Sequence, residues 1–188
     1  MGRATLREIL GAHLGCGPDA VVFGYGPNGK PAVPGVQFNL SHSANLACLA
    51  LHPDVILGVD VEQVRPIEHA VAQRFFSRDE ISALNALPPD MWLAGFYRCW
   101  TRKEAVVKQL GDGLSYPLDA FSVSLAPGAH PEMTQIDPDY GTCADWQFAH
   151  FDAGSDFVGA VTWRGAQRVP VDVVSQPDNL KITLSASG

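Results

Sequence analysis

The sequence predicts an α+β fold of two similar halves, each a small antiparallel sheet packed on a helix. Helical periodicity gives way to strand alternation twice along the chain, and clusters of Gly, Pro, Asn and Asp separate the short strands. No internal repeat is visible, so any duplication is structural only. With 188 residues, 46% of them hydrophobic, the chain can bury a sizeable core. The expected division is 1–53, 54–174 and a loose polar tail over 175–188.

Residues 4–14, "ATLREILGAHL", place Leu6, Ile9, Leu10 and Leu14 at helical spacing, and Gly15, Gly17 and Pro18 end the segment. A short strand over 21–25 and a turn carrying Lys30 follow. "VQFNLSHSANLACLALHPDVILGVDVEQV" then alternates strands with turns and reads as an antiparallel meander. Beyond Pro66 come two helices, "IEHAVAQRFF" and "SRDEISALNAL", the second opened by Ser77 and Glu80 in capping-box spacing. The longest helix runs over 91–110 and ends at Gly111 and Gly113. The stretch from Phe121 to Trp163 is strand-like, notably "SVSL", "DWQFAHF" and "DFVGAVTW".

Twenty acids against thirteen bases argue against a general nucleic-acid or anionic-membrane surface. A polyanionic ligand must therefore meet local bases, and Arg98, Arg102, Lys103 and Lys108 fall within eleven residues. A solvated helix face explains such a cluster equally well. Cys16, Cys48, Cys99 and Cys143 show no CxxC pairing or finger spacing and read as free thiols of a reducing cytoplasm. No apolar run approaches the roughly 20 residues of a bilayer span, and "MGRATLREIL" lacks the apolar block of a signal peptide.

The chemistry concentrates in "GVDVE", residues 58–62. Strand alternation puts Asp60 and Glu62 on one face, roughly 7 Å apart. A strand with one wet face would explain them. In the long helix, however, Leu93, Phe96, Trp100, Val107 and Leu110 form an apolar stripe, and Glu104 falls on it. An ordinary Glu104-to-Lys108 surface pair explains the lysine but not a half-buried acid. Asp60, Glu62 and Glu104 together suit a hard divalent cation, Mg²⁺ or Mn²⁺ rather than zinc, and Mg²⁺ points to phosphoryl chemistry. In "NLSHS", Ser41 and His42 read as a turn exposed to an anion or as a plain polar turn. A hydrolase triad is disfavoured because adjacent strand residues point apart and no acid orients the histidine.

"LREIL", "GKP", "FNLSHS", "GVDVE", "RFFSRDE" and "WTRKEAVVKQLGDGLSYPLDAFSV", in this order over almost the whole chain, resemble the surfactin-synthetase-activating type of 4′-phosphopantetheinyl transferase. The resemblance implies transfer of the phosphopantetheine arm of coenzyme A to a serine of an apo acyl or peptidyl carrier protein, with release of 3′,5′-ADP. It also implies an active site in a cleft between the halves. Asp60, Glu62 and Glu104 match acids that hold Mg²⁺, Glu104 also matches the base that takes the serine proton, and Lys108 matches the lysine facing the attacked phosphate. Ser41 and His42, joined by Lys30 and Arg3, match contacts to the 3′-phosphate of coenzyme A, and Glu80 matches an acid of secondary role. Members of this type usually carry several dozen residues before "LREIL", so the first sheet is expected to be incomplete. The rival expectations are a noncatalytic coenzyme A or carrier-binding protein and a metal-dependent phosphohydrolase.

Overall fold

The computed structural model describes residues 2–26, 29–111 and 116–165, and the backbone of two further strands over 171–176 and 179–184. Helix α1, Arg3–Leu14, buries Leu6 and Leu10 and stops at Gly15, whose φ of 69° supplies the left-handed cap. Strands β1 (Gly24–Tyr25) and β2 (Pro31–Ala32) form a small hairpin, shorter than the 21–25 strand expected. Strands β3 (Gln37–Ser43) and β4 (Leu46–His52) pair antiparallel. Strand β5 is Leu57–Gln63. Helices α2 (His69–Phe75), α3 (Arg78–Asn85) and α4 (Trp92–Leu110) follow, with α3 closed by the Ser77–Glu80 capping box. The rest comprises β6 (Ser122–Val123), β7 (Met133–Gln135), β8 (Trp146–Asp152), β9 (Phe157–Arg164), β10 (Val171–Gln176) and β11 (Asn179–Leu184). Gly113, expected to help end the long helix, lies outside the described residues, whereas Gly111 caps it at φ 76°.

The α+β class holds, but the meander does not. Only β3 and β4 form the expected hairpin; β5 leaves that sheet and pairs antiparallel with β9, giving the order β5-β9-β8. The side chains of β3 explain the separation, because Asn39, Ser41 and Ser43 bond the backbone of β5 and stand where a backbone ladder would run. The first sheet has the order β10-β11-β4-β3, with β11 parallel to β4. Residues 179–184, expected in a loose tail, are therefore a strand of the first sheet, and β10 returns there too rather than extending the second half.

Strand β4 is buried on both faces. Leu49 and Leu51 pack with Leu6, Leu10 and Phe38 against α1. Cys48 and Ala50 meet Val59, Val61 and Val161 of the second sheet. The other face of the second sheet carries α4, where Phe76, Phe96, Phe121, Trp146 and Phe148 form the largest cluster. Each such side chain contributes about 1.5–3 kcal/mol by burial. The seam between the two sheets is thus apolar, and Asp60 and Glu62 lie on the opposite face of β5, toward α4.

Candidate active site

Gly58 sets the height of α4 above β5. A Cβ there would stand 2.0 Å from the Ala105 carbonyl oxygen and 2.6 Å from the Gln109 nitrogen, so only glycine lets the helix backbone cross so closely. Asp60 and Glu62 follow Gly58 at intervals of two and share its face. Val59 and Val61 point the other way, into the seam between the sheets. Helix α4 thereby brings Glu104 and Lys108 over the two acids.

Lys108 Nζ donates to Asp60 Oδ1 at 2.6 Å and to Ser41 Oγ at 2.7 Å, and Ser41 donates to the same Asp60 oxygen at 2.8 Å. Ser43 donates to Glu62 Oε2 at 2.6 Å. Burial pushes the Asp60 carboxyl up to about 7; the charge and hydrogen bond of Lys108 and the bond from Ser41 work against this, while Glu62 adds to it. Burial likewise raises Glu104, with Lys108 lowering it and Glu62 raising it. The negative charge of Glu62 thus acts on both Asp60 and Glu104.

The remaining predicted residues divide. Lys30 reaches the end of α4, where its ammonium donates to the Lys108 carbonyl at 2.8 Å, and burial lowers its pKa. Ser41, expected to be exposed in a turn, is buried inside β3, and its hydroxyl is engaged with Asp60 and Lys108 because alternation aims it at β5. His42 is exposed in the same strand. Arg3, exposed at the start of α1, donates to the Tyr25 hydroxyl. Glu80 stands apart: it accepts from Lys103 Nζ at 2.7 Å, the Val123 amide at 2.8 Å and the Ser77 amide at 2.8 Å, tying α3, α4 and β6 together.

Three contributors were not singled out in the sequence. Asn39 and Ser43 share the face of Ser41, and their signal is the N-x-S-x-S alternation. Lys103, read as part of a basic cluster, is fully buried; its signal was its place four after Cys99 and seven after Phe96, on the buried side of α4.

The donor set suits a hard cation, since it offers only carboxylate oxygens and Asp60 Oδ2 is buried without a partner among the described residues. No three His, Cys, Asp or Glu side chains among the described residues gather closely enough to enclose a metal alone. Mg²⁺ commonly takes one or two carboxylates and completes its shell with water and phosphate oxygens, so the residues fit a cation that a phosphorylated ligand completes. Beside Glu104 a groove opens between Phe75, Val107, Tyr116 and Leu118. A second, lined by Arg65, Val71, Tyr97 and Trp100, reaches Glu62. Among the described residues no helix is long and apolar enough to cross a membrane.

The chain is 40% identical over 145 residues to the 4′-phosphopantetheinyl transferase HetI of Nostoc, covering 73% of this chain and 60% of that protein. It is 39% identical over 133 residues to a 4′-phosphopantetheinyl transferase of Bacillus subtilis, covering 69% and 59%. It therefore spans about three fifths of the length of these two relatives. Against the 4′-phosphopantetheinyl transferase Sfp of Bacillus subtilis it is 33% identical over 174 residues, covering 83% of this chain and 75% of Sfp. The family model of the 4′-phosphopantetheinyl transferase superfamily matches residues 56–162, from the start of β5 to β9 and across both acids of the strand, Glu104 and Lys108, and the chain belongs to that superfamily.

Proposed function

We propose that the protein transfers the 4′-phosphopantetheine arm of coenzyme A to a serine of an apo acyl or peptidyl carrier protein. The observation that carries this reading is the junction itself, where Lys108 bridges Ser41 and Asp60 beside a half-buried Glu104 that burial has made more basic. A carboxylate with a raised pKa is a better proton acceptor near neutral pH. The carrier serine oxygen forms a bond to the phosphorus bearing the pantetheine arm, and its proton passes to Glu104. The bond from that phosphorus to the bridging oxygen breaks, and 3′,5′-ADP leaves with the electron pair. Lys108, 29% exposed, has room to turn its ammonium from Asp60 to a phosphate oxygen. Asp60, Glu62 and Glu104 would hold Mg²⁺, or Mn²⁺ in its place, and such a cation supplies charge neutralisation to the pyrophosphate. Arg3, Lys30 and His42 are the residues we assign to the 3′-phosphate end of coenzyme A, with the reaction placed in the cytoplasm.

Incubation with coenzyme A, Mg²⁺ and apo carriers of fatty-acid, polyketide and nonribosomal-peptide type should add one phosphopantetheine to at least one carrier, read by intact mass. Glu104→Gln should reduce the rate by about 10²- to 10⁴-fold with no fall in the melting temperature. Coenzyme A binding without transfer to any carrier would overturn the reading in favour of a binding protein.

A further inference from the structure

Strand β5 is the edge of its sheet. It pairs with β9 on one side, and its other side presents the N–H groups of Val59, Val61 and Gln63. Unpaired edge amides that lose water are costly, so each needs an acceptor. Strand β3 supplies all three from side chains. Asn39 Oδ1 accepts from the Val59 amide at 2.9 Å, Ser41 Oγ from the Val61 amide at 3.3 Å, and Ser43 Oγ from the Gln63 amide at 3.1 Å. The spacing is two residues on both strands, and the offset is constant at twenty.

A hydroxyl has one hydrogen to donate and two lone pairs to accept with. Ser43 accepts from an amide, so its hydrogen goes to Glu62 Oε2. Ser41 accepts from the Val61 amide and from Lys108, so its hydrogen goes to Asp60 Oδ1. Both serines are thereby fixed in direction. One oxygen of each carboxylate is held, and Asp60 Oδ2 is left buried and without a partner among the described residues.

We propose that Asn39, Ser41 and Ser43 form a side-chain ladder that joins the two sheets and sets the carboxylates of Asp60 and Glu62, with Ser43 the positioning residue for Glu62. The ladder decides which carboxylate oxygens face a cation. Its consequence for metal binding rests on the function proposed above, whereas its structural part does not. Partners that orient metal-binding side chains from behind typically change metal affinity 10–100-fold when removed, and Ser43 occupies that position toward Glu62.

Two measurements on the full chain test this without any transfer reaction. Mn²⁺ titration followed by electron paramagnetic resonance, with no coenzyme A or carrier present, should show about tenfold weaker binding for Ser43→Ala. Ser43→Thr, which keeps the hydroxyl, should restore it. Amide hydrogen exchange by NMR should show lost protection at Gln63 in Ser43→Ala and at Val59 in Asn39→Ala, with protection of the β5–β9 ladder retained. Unchanged Mn²⁺ affinity in a folded Ser43→Ala overturns the positioning role, and unchanged protection of Gln63 and Val59 overturns the ladder. If Ser43→Ala instead weakens coenzyme A binding in EDTA and leaves Mn²⁺ binding intact, the strand acts as an anion contact and the proposal fails. An unsubstituted chain that binds no Mn²⁺ loses the positioning role, while exchange still decides the ladder. A chain that binds Mn²⁺ normally but transfers nothing fails only as a transferase.

Discussion

Replacing Asp60 with asparagine should flatten the pH dependence of stability while removing a carboxylate of the proposed cation site. Asp60 sits near 7 in the fold against 3.8 for a free side chain, chiefly through burial. A carboxyl whose pKa is higher in the folded chain than in the unfolded one binds its proton more tightly when folded. The stability it contributes is fully present below about pH 4 and is lost as pH rises through 7. A difference of about three units at about 1.4 kcal/mol each makes this on the order of 4 kcal/mol. Asparagine resembles the protonated form in shape and charge, so Asp60→Asn should escape most of the loss. The assay is chemical unfolding at a series of pH values from 4 to 8 in EDTA. Glu104, also raised by burial, contributes to both curves, so the difference between the two chains reads Asp60. Mg²⁺ at pH 8 should restore stability to the unsubstituted chain and not to the variant. Parallel stability curves for the two chains would refute the argument that burial of Asp60 is the opposing force.

Gly58→Ala should destabilise the chain by about 1–3 kcal/mol, because the new methyl meets the backbone of α4 at Ala105 and Gln109, and a melting temperature equal to that of the unsubstituted chain would contradict the close crossing. Glu80→Gln removes the countercharge of the fully buried Lys103 and should cost about 3–5 kcal/mol in denaturant unfolding; a small effect would show that neutral acceptors, the Phe121 carbonyl among them, suffice for the lysine. Lys30→Met should lower stability by about 1 kcal/mol in the absence of coenzyme A, since Lys30 donates to a carbonyl at the end of α4, and no change would leave it a ligand contact only.

The local period of the chain made the acids legible and their neighbours less so. Helical spacing placed Glu104 on an apolar stripe, and the structure half-buries it. Strand alternation placed Asp60 and Glu62 together, and the S-x-x-E spacing gave the cap of α3. Alternation cannot say which strand becomes a neighbour, so it predicts a meander through β5, whose partner lies about a hundred residues on, in β9. The "VDVV" and "LKIT" stretches near the end carry period two as well, yet polar neighbours hid them, and their place in the first sheet comes from the pairing of β11 with β4 and of β10 with β11. Lys103 was hidden by its charge: composition reads a lysine in a basic cluster as solvated, whereas this one lies against the Phe121 ring with its ammonium on Glu80.

The two halves of the site differ in what their residues prove. An apolar β3 would leave the Val59, Val61 and Gln63 amides without acceptors, so the fold needs Asn39, Ser41 and Ser43 whether or not the protein turns over. Their presence alone does not diagnose catalysis. Asp60 is the opposite case, since a buried carboxylate raised to about 7, with one oxygen unpartnered among the described residues, works against stability. Residues that oppose folding and persist in a site mark function more reliably than residues the architecture requires. Asp60 and Glu104 therefore carry the proposed transfer, with the serines as the frame that makes their placement possible.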